Sequence, residues 1–173
     1  MEVKEGFHAD TYLLKLVDLL VEHGKVTHFI ETGTYEGRTV SYFGGRYPDI
    51  SCYSCEPDPE RSKIATNKCA SLPNIRIYNI LSQDLITEIQ SRFTDLYNEP
   101  VLFWLDAHGY GFEWPLREEM SFITSNFKHC YILVDDYRVP GNDAFGYDRY
   151  QKQACEHDYV KDDIQWSSNE YSL

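Results

Sequence analysis

The sequence has no long apolar run, few basic residues and no paired set of cysteines. Its apolar stretches are shorter than the roughly 18 residues that a membrane-spanning helix needs, so we expect no membrane contact. Sixteen basic against 28 acidic residues give a net charge of −12, which argues against nucleic acid as a partner because binding phosphates needs a basic face. The five cysteines lack a disulfide framework and the first residues lack a signal-peptide core; both indicate the cytoplasm.

What is present is the composition of an ordinary globular domain. Hydrophobic residues make up 42% of the 173 residues and charged residues 25%, and a chain of this length buries a core without disulfides. No internal repeat or low-complexity segment divides the chain. Residues 1–173 are therefore expected to form a single domain.

Predicted strands and helices alternate along the chain. Short apolar runs typical of buried strands are separated by segments with helical spacing of apolar residues. This order predicts an α/β fold, a Rossmann-like doubly wound and mostly parallel sheet with helices on both faces. Asp10 is expected to cap the first helix, with Leu13, Leu16, Val17 and Leu20 on its apolar face. The predicted strands lie at about 27–30, 50–55, 75–80, 101–105 and 131–134.

Polar side chains follow every predicted strand. In a sheet of this kind, ligands bind at the carboxyl ends of the strands, where the strand order reverses. One acidic strand end is ordinary solvation of a loop, whereas polar groups after every strand favour a binding site. These groups are Glu31, Glu56, Ser82-Gln83-Asp84, Asp106 and Asp135-Asp136, in strand order.

The turn after the first strand runs from Glu31 to Gly37. Glycines there allow a tight turn and the close approach of a ligand. The segment lacks the middle glycine that admits a pyrophosphate, and an acid before the turn repels phosphate and favours an ammonium group. A plain strand-to-helix turn explains the segment about as well. Glu56 stands where nucleoside-binding folds place an acid for the ribose hydroxyls, although alone it could face solvent near Arg61.

Three aspartates follow the fourth and fifth predicted strands. Asp106, Asp135 and Asp136 would repel one another unless a cation or a proton neutralised them. Carboxylate oxygens suit Mg²⁺, or Mn²⁺. The alternative is that one or two of them cap a helix or a turn.

Taken together, these residues resemble the class I S-adenosylmethionine-dependent methyltransferases. More narrowly, they resemble the metal-dependent O-methyltransferases of the catechol and macrocin-type antibiotic-sugar branches, over about residues 27–138. The resemblance implies S-adenosylmethionine and Mg²⁺ (or Mn²⁺) as cofactors. The site residues that it implies are Glu31, Gly33, Tyr35, Gly37 and Thr39 around the methionine moiety, Glu56 at the ribose, Ser82 and Gln83 at the adenine, Asp106 beside the cofactor, and Asp106, Asp135 and Asp136 at the metal.

The sequence departs from that family at two places. The catechol enzymes have a lysine base three residues after the first metal aspartate, and here that position is Gly109. Asp106 and His108 are the candidate bases, although His108 could simply hydrogen-bond within its own loop. The chain also ends at Leu173, where family members continue into an antiparallel hairpin, so the hairpin is expected to be missing or reduced.

The resemblance implies an O-methyltransferase acting on vicinal hydroxyls of a sugar or polyol, with a catechol-like acceptor second. Aromatic residues in segments 110–114 and 138–147 either flank that acceptor or pack on the surface. The alternative is a methyltransferase-like binding or scaffold domain without catalysis. A nicotinamide-dependent oxidoreductase is disfavoured by the spacing of the first turn. The expected partner is a small-molecule hydroxyl acceptor, and a homo-oligomer is possible.

Several other residues are given ordinary structural roles. Cys52 and Cys55 form a C-x-x-C within a predicted strand, where they point to opposite faces and cannot chelate. Glu118 and Glu119 are assigned to the solvated face of a helix. Five histidines show no metal-ligand spacing and are treated as structural: His8, His23, His28, His129 and His157.

Overall fold

The computed structural model describes residues 6–109, 114–142 and 145–164. Within these ranges, strands and helices alternate in the predicted order. The strands are β1 (His28–Thr32), β2 (Ser51–Cys55), β3 (Ile75–Tyr78), β4 (Pro100–Leu105), β5 (His129–Val134), β6 (Arg149–Tyr150) and β7 (Gln153–Ala154). The helices are α1 (Thr11–Gly24), α2 (Arg38–Arg46), α3 (Pro59–Lys68), α4 (Ser82–Arg92), α5 (Leu116–Asn126) and α6 (His157–Val160), with 3-10 turns at Gly6–Ala9 and Thr94–Asn98.

The main sheet is parallel and has the order β3-β2-β1-β4-β5. The chain runs outward from β1 to β3 and then returns to the other side of β1 through β4, so the strand order reverses between β1 and β4. This confirms the predicted doubly wound α/β fold. In the described part of the chain no antiparallel strand joins this sheet, and β6 and β7 form a separate antiparallel pair.

Helices cover both faces of the sheet, and β4 shows the consequence most clearly. Phe103 and Leu105 pack into the layer formed with α4 and α5. Leu102 and Trp104 pack into the opposite layer with α1 and α2. Because both faces are covered, β4 is apolar without alternation, and Trp104 is a core residue as expected, 2% exposed.

The first helix starts where the sequence predicts, but fewer of its residues are buried than the sequence predicts. The Asp10 carboxylate accepts hydrogen bonds from the Tyr12 and Leu13 amides, at 2.7 and 3.1 Å, as an N-cap residue does. Val17 is buried, whereas Leu16 is 42% exposed. The assignment of Leu16 to the apolar face was therefore wrong. None of the described helices is both long and apolar enough to cross a membrane.

The segment before α1 is fastened to the core by one side chain. Phe7 is fully buried and lies edge-on to Trp104, with ring centroids 5.0 Å apart. It also contacts the rings of Phe29 and Phe43. This contact brings the beginning of the described chain to the carboxyl ends of β1 and β4.

Candidate functional site

A cleft of about 510 Å³ opens where the strand order reverses, and we call it the main cleft. Its volume lies in the range of small-molecule and cofactor sites. Most of the side chains singled out from the sequence line it. These are Gly33, Tyr35, Glu56, Ser82, Gln83, Asp106, His108, Asp135 and Asp136.

The turn after β1 brings two strand ends into contact. Gly33 has a φ of +81°, and a β-carbon built on it would lie 2.2 Å from the carbonyl oxygen of Asp106. Only glycine fits there, on both conformational and steric grounds. Its amide donates to the Cys55 carbonyl at 3.1 Å. Gly33 therefore holds the ends of β1, β2 and β4 together beside the main cleft.

Glu56 is held in a fixed orientation by the backbone. Its two carboxylate oxygens accept hydrogen bonds from the Tyr35 amide at 2.8 Å and the Asp58 amide at 3.0 Å. Tyr35 reaches this position with a left-handed φ of +51°. Each carboxylate oxygen keeps a further lone pair, so Glu56 can still accept hydrogen bonds from a ligand in the main cleft.

Glu31 lies deeper than Glu56 and borders a second cavity of about 370 Å³, which we call the side cleft. Gly33, Tyr35 and Thr39 line the side cleft as well. The Ser54 hydroxyl donates to the Glu31 carboxylate. Burial raises the pKa of Glu31 to about 8, against the opposing effect of Ser54. Glu31 therefore binds a proton readily near neutral pH.

The remaining predicted cofactor residues lie on helix ends. Ser82 and Gln83 begin α4 and line the main cleft, as Glu56 does. Gly37 precedes α2 with a φ of +74°, and a β-carbon on it would lie 3.0 Å from the Ala65 β-carbon. Gly37 is not among the described residues that line either cleft, so it serves the packing of α2 against α3.

The three predicted metal ligands divide into two sets. Nitrogen and oxygen ligand atoms of His8, Asp106 and Asp135 all lie within 4.8 Å of one another. A second set within the same limit consists of His108, Asp136 and Asp148. Asp136 is separated from its neighbour Asp135 because its backbone has a left-handed φ of +49°.

Burial shifts the pKa values of the carboxyl groups in and beside the set of His8, Asp106 and Asp135. Burial, together with the nearby Asp135 carboxylate, raises the pKa of Asp106 to about 9. Burial also raises the pKa of Asp136, with Asp135 and Asp148 adding to the effect. Within the described residues, Asp106 pairs with the imidazole of His108 and Asp135 pairs with the imidazole of His8. Closely spaced carboxylates of this kind favour a bound cation.

His108 lies between the two sets. Its Nδ1 is 2.9 Å from Asp148 Oδ2, and its Nε2 is 3.7 Å from Asp106 Oδ1. When Nδ1 donates to Asp148, Nε2 is left as the proton-accepting nitrogen. His108 is thus held by a residue far along the chain as well as by its own loop.

Sequence reasoning missed two residues of this region. His8 was given an ordinary structural role, yet its Nε2 lies 2.8 Å from Asp135 Oδ2. Glu119 was placed on a solvated helix face, yet it is 1% exposed, so that assignment was wrong, whereas Glu118 is exposed as expected. The neighbouring sequence does not reveal the role of either residue. The position of His8 depends on the burial of Phe7, and the burial of Glu119 depends on which of two adjacent glutamates faces the sheet.

The expected acceptor-flanking segments are only partly described. Residues 110–113 and 143–144 lie outside the described ranges. Trp114 packs edge-on against Tyr159, with centroids 5.4 Å apart, and Tyr147 lies under the guanidinium of Arg149. Their role beside an acceptor stays a prediction.

The two cysteines of the C-x-x-C pair point to opposite faces of the sheet, as predicted. Cys52 packs into the core layer formed with α1 and α2, and Cys55 into the layer formed with α4 and α5. The two thiols therefore lie on opposite faces of the sheet.

Comparison with solved structures identifies the fold. The O-methyltransferase TomG from Streptomyces achromogenes, involved in tomaymycin synthesis and solved in complex with S-adenosylmethionine, is similar with a TM-score of 0.59 at 14% identity, over 73% of this chain and 56% of that chain. An O-methyltransferase from Bacillus cereus, in complex with S-adenosylhomocysteine, gives a TM-score of 0.53 at 17% identity, over 69% and 53%. The chain has the fold of these O-methyltransferases.

This chain spans slightly more than half the length of those two structures. Comparison with protein-family models and with curated proteins gave no match. At these identities the similarity establishes the fold, and activity has to be argued from the site of this chain.

The side chains present fit both implied cofactors. The main cleft offers a hydrogen-bond acceptor for ribose hydroxyls in Glu56 and an apolar wall that includes Leu81 and Pro115. Glu31 in the side cleft offers an acid for an ammonium group. The carboxylates of Asp106 and Asp135 are the oxygen donors that a divalent ion takes. We therefore find no mismatch between these residues and S-adenosylmethionine with a divalent ion.

Proposed function

We propose that this chain is an S-adenosylmethionine-dependent, divalent-metal-dependent O-methyltransferase. Its acceptor is a hydroxylated small molecule, with vicinal hydroxyls of a sugar or polyol first and a catechol-like ring second. Mg²⁺ or Mn²⁺ as the ion and a location in the cytoplasm belong to the same proposal. The proposal assigns no nucleic acid or membrane partner and leaves the oligomeric state open.

One observation supports this function above the others. Glu56, held by the Tyr35 and Asp58 amides, lies in the same cleft as the carboxylates of Asp106 and Asp135. A fixed carboxylate at the second strand end suits the hydroxyls of a nucleoside. Acids at the fourth and fifth strand ends suit a divalent ion. A nucleoside site beside an ion site is what metal-assisted methyl transfer requires.

Each group has a distinct part in the proposed reaction. S-adenosylmethionine, when bound, supplies a methyl group to an acceptor oxygen, and the divalent ion lowers the pKa of the acceptor hydroxyl. Glu56 orients the nucleoside, Glu31 faces the ammonium end, and Asp106 with Asp135 holds the ion. Asp136 lies on the same cleft wall. Holding both reactants in line is the main contribution of the chain to the rate.

His108 is the favoured proton acceptor, with Asp106 as the alternative. Asp148 fixes the imidazole through Nδ1, and Nε2 then faces Asp106 and the main cleft. A proton leaving the acceptor hydroxyl would go to Nε2. Asp106, if it holds the ion, has fewer lone pairs free for that task.

Calorimetric titration of S-adenosylhomocysteine tests the cofactor site directly. We expect micromolar binding by the unaltered chain, with Mg²⁺ and also with a chelator, because Glu56 belongs to neither set of candidate metal ligands. Glu56→Gln should weaken binding strongly, and Asp136→Ala should leave it intact. Glu60→Gln, at an exposed position in the first turn of α3, is the matched control and should bind as the unaltered chain does.

Absence of binding by folded protein in both conditions would contradict the proposed enzyme. The alternative of a binding or scaffold domain without catalysis would then be favoured. Binding of S-adenosylhomocysteine that is unaffected by Glu56→Gln would place the nucleoside elsewhere in the cleft.

A further inference from the structure

We propose that His8 is a ligand of the divalent ion, and that the ion is therefore one that accepts imidazole nitrogen, such as Mn²⁺, Fe²⁺ or Co²⁺, in preference to Mg²⁺. This inference rests on the ion site of the proposed function and specifies its third ligand. It assigns a role to a histidine outside the strand-end motifs. It also changes the expected ion, because the carboxylates alone favour Mg²⁺ or Mn²⁺.

The backbone before α1 is arranged so that the His8 side chain reaches the strand ends. Phe7, His8 and Ala9 all have left-handed φ values, of 51°, 55° and 57°. Such a conformation costs about 1–2 kcal/mol per residue outside glycine, so it persists only if packing enforces it. The full burial of Phe7 against Trp104 enforces it. With Phe7 fixed, the next side chain is directed over Asp135.

The distances within this set suit neighbouring ligands of one ion. His8 Nε2 lies 2.8 Å from Asp135 Oδ2, and ligand atoms of His8, Asp106 and Asp135 lie within 4.8 Å of one another. For octahedral coordination with bonds of about 2.1 Å, adjacent ligand atoms are about 3.0 Å apart and opposite ones about 4.2 Å. The set therefore needs only small side-chain movements to surround an ion.

An ion pair between His8 and Asp135 alone accounts for fewer of these features than a bound divalent ion does. His8 lines both the main cleft and the side cleft, so its imidazole lies where the two cavities meet. The two imidazoles of His8 and His108 face four carboxylates, those of Asp106, Asp135, Asp136 and Asp148. A divalent ion would supply the positive charge that two imidazoles do not.

The choice of ion follows from the donor atoms. Imidazole nitrogen suits transition ions, whereas Mg²⁺ prefers oxygen ligands and retained water. Two carboxylates with one imidazole form a mixed donor set. We therefore expect Co²⁺ and Mn²⁺ to bind more tightly than Mg²⁺, with the difference supplied by His8.

Calorimetric titration of Co²⁺ and of Mg²⁺ into the full chain tests the assignment. In His8→Ala we expect the affinity for Co²⁺ to fall at least about tenfold, since losing even a group that supports a ligand costs that much. The affinity for Mg²⁺ should stay about the same. His23→Ala is the matched control, because His23 is exposed in the last turn of α1, and it should leave both affinities unchanged. His8 is exposed, so its replacement leaves the core intact.

Pulsed electron paramagnetic resonance of the Mn²⁺-loaded chain identifies the nitrogen. We expect the coupling of a coordinated imidazole in the unaltered chain and in His108→Ala, and its loss in His8→Ala. Loss in His108→Ala with retention in His8→Ala would place the ion in the second set and overturn the assignment. Unchanged Co²⁺ affinity in His8→Ala, or no nitrogen coupling in the unaltered chain, would overturn it as well.

The same samples separate this inference from the proposed function. Co²⁺ binding that depends on His8, in a chain that does not bind S-adenosylhomocysteine, would support His8 as a ligand and contradict the methyltransferase. Binding of S-adenosylhomocysteine without binding of any ion would contradict both His8 as a ligand and the metal dependence, and would leave the cofactor site supported.

Discussion

Gly33 and the carbonyl oxygen of Asp106 lie so close together that a β-carbon at position 33 would be 2.2 Å from that oxygen. Gly33→Ala must therefore separate the ends of β1 and β4, in addition to adopting a φ of +81° that alanine disfavours by about 1–2 kcal/mol. We expect a loss of several kcal/mol in the free energy of unfolding, or failure to fold, measured by urea denaturation.

Gly141→Ala is the control that separates conformation from contact. Gly141 has a similar φ of +75°, but a β-carbon there meets nothing within 4 Å. Its replacement should cost only the conformational part, about 1–2 kcal/mol. If Gly33→Ala and Gly141→Ala lost the same free energy of unfolding, the close approach of Asp106 to Gly33 would make no contribution to the loss.

Phe7→Ala tests how firmly the segment before α1 is attached. Phe7 is fully buried, and replacing a buried phenylalanine by alanine typically costs about 3–5 kcal/mol. Denaturation in urea should show a loss of that size. Phe145→Ala, at a 54% exposed position, should change the free energy of unfolding by no more than about 0.5 kcal/mol. A loss for Phe7→Ala as small as that would mean that the segment is not packed into the core.

The parts of the fold that follow from local sequence were predictable. The run from Val101 to Leu105 is apolar without alternation because both faces of β4 are covered, and this pattern is visible in the sequence. Because all strands of a parallel sheet run in the same direction, the polar residues that follow them must lie at the same edge. The sequence alone therefore assigns Glu56 and Asp106 to one edge of the sheet.

The residues that were missed depend on tertiary contacts. His8 reaches Asp135 across 127 positions of the chain, and nothing in its neighbours along the sequence indicates this. Adjacent residues can also separate: Asp135 and Asp136 enter different sets because of one backbone angle at Asp136. Spacing along the chain does not reveal such an angle in a residue other than glycine.

Binding of S-adenosylhomocysteine at the proposed cofactor site is expected to release protons through Glu31. The pKa of Glu31 is about 8 in the unliganded chain, so its carboxyl is mostly protonated at pH 7. An ammonium group in the side cleft favours the charged form and lowers that pKa. Affinity should therefore rise between pH 6 and 8, by at most about tenfold per pH unit because one proton is released.

Calorimetry at pH 7 in buffers of different ionisation enthalpy measures this proton release. Glu31→Gln has no proton to lose, so its apparent binding enthalpy should depend much less on the buffer. Glu22→Gln, at an exposed position of α1, should retain the buffer dependence of the unaltered chain. An enthalpy for the unaltered chain that is the same in every buffer would contradict the role of Glu31.

Glu119 should make the fold less stable as the pH rises towards 8. Burial raises the pKa of this carboxyl from 4.5 to about 7, so the folded chain binds its proton more tightly than the unfolded chain does. The resulting stabilisation is complete below pH 4.5 and is lost as the pH rises through 7. Above pH 7 the buried carboxylate is charged, and its Oε1 has no hydrogen-bond partner in the described residues.

Glu119→Gln removes that charge while nearly keeping the shape of the side chain. Relative to the unaltered chain, the variant should gain about 1–3 kcal/mol in the free energy of unfolding between pH 5 and pH 8. Urea denaturation at several pH values measures the gain. Glu118→Gln, at the exposed neighbouring position of α5, should stay within about 0.5 kcal/mol throughout. A gain that does not change with pH would show that Glu119 keeps an ordinary pKa despite its burial.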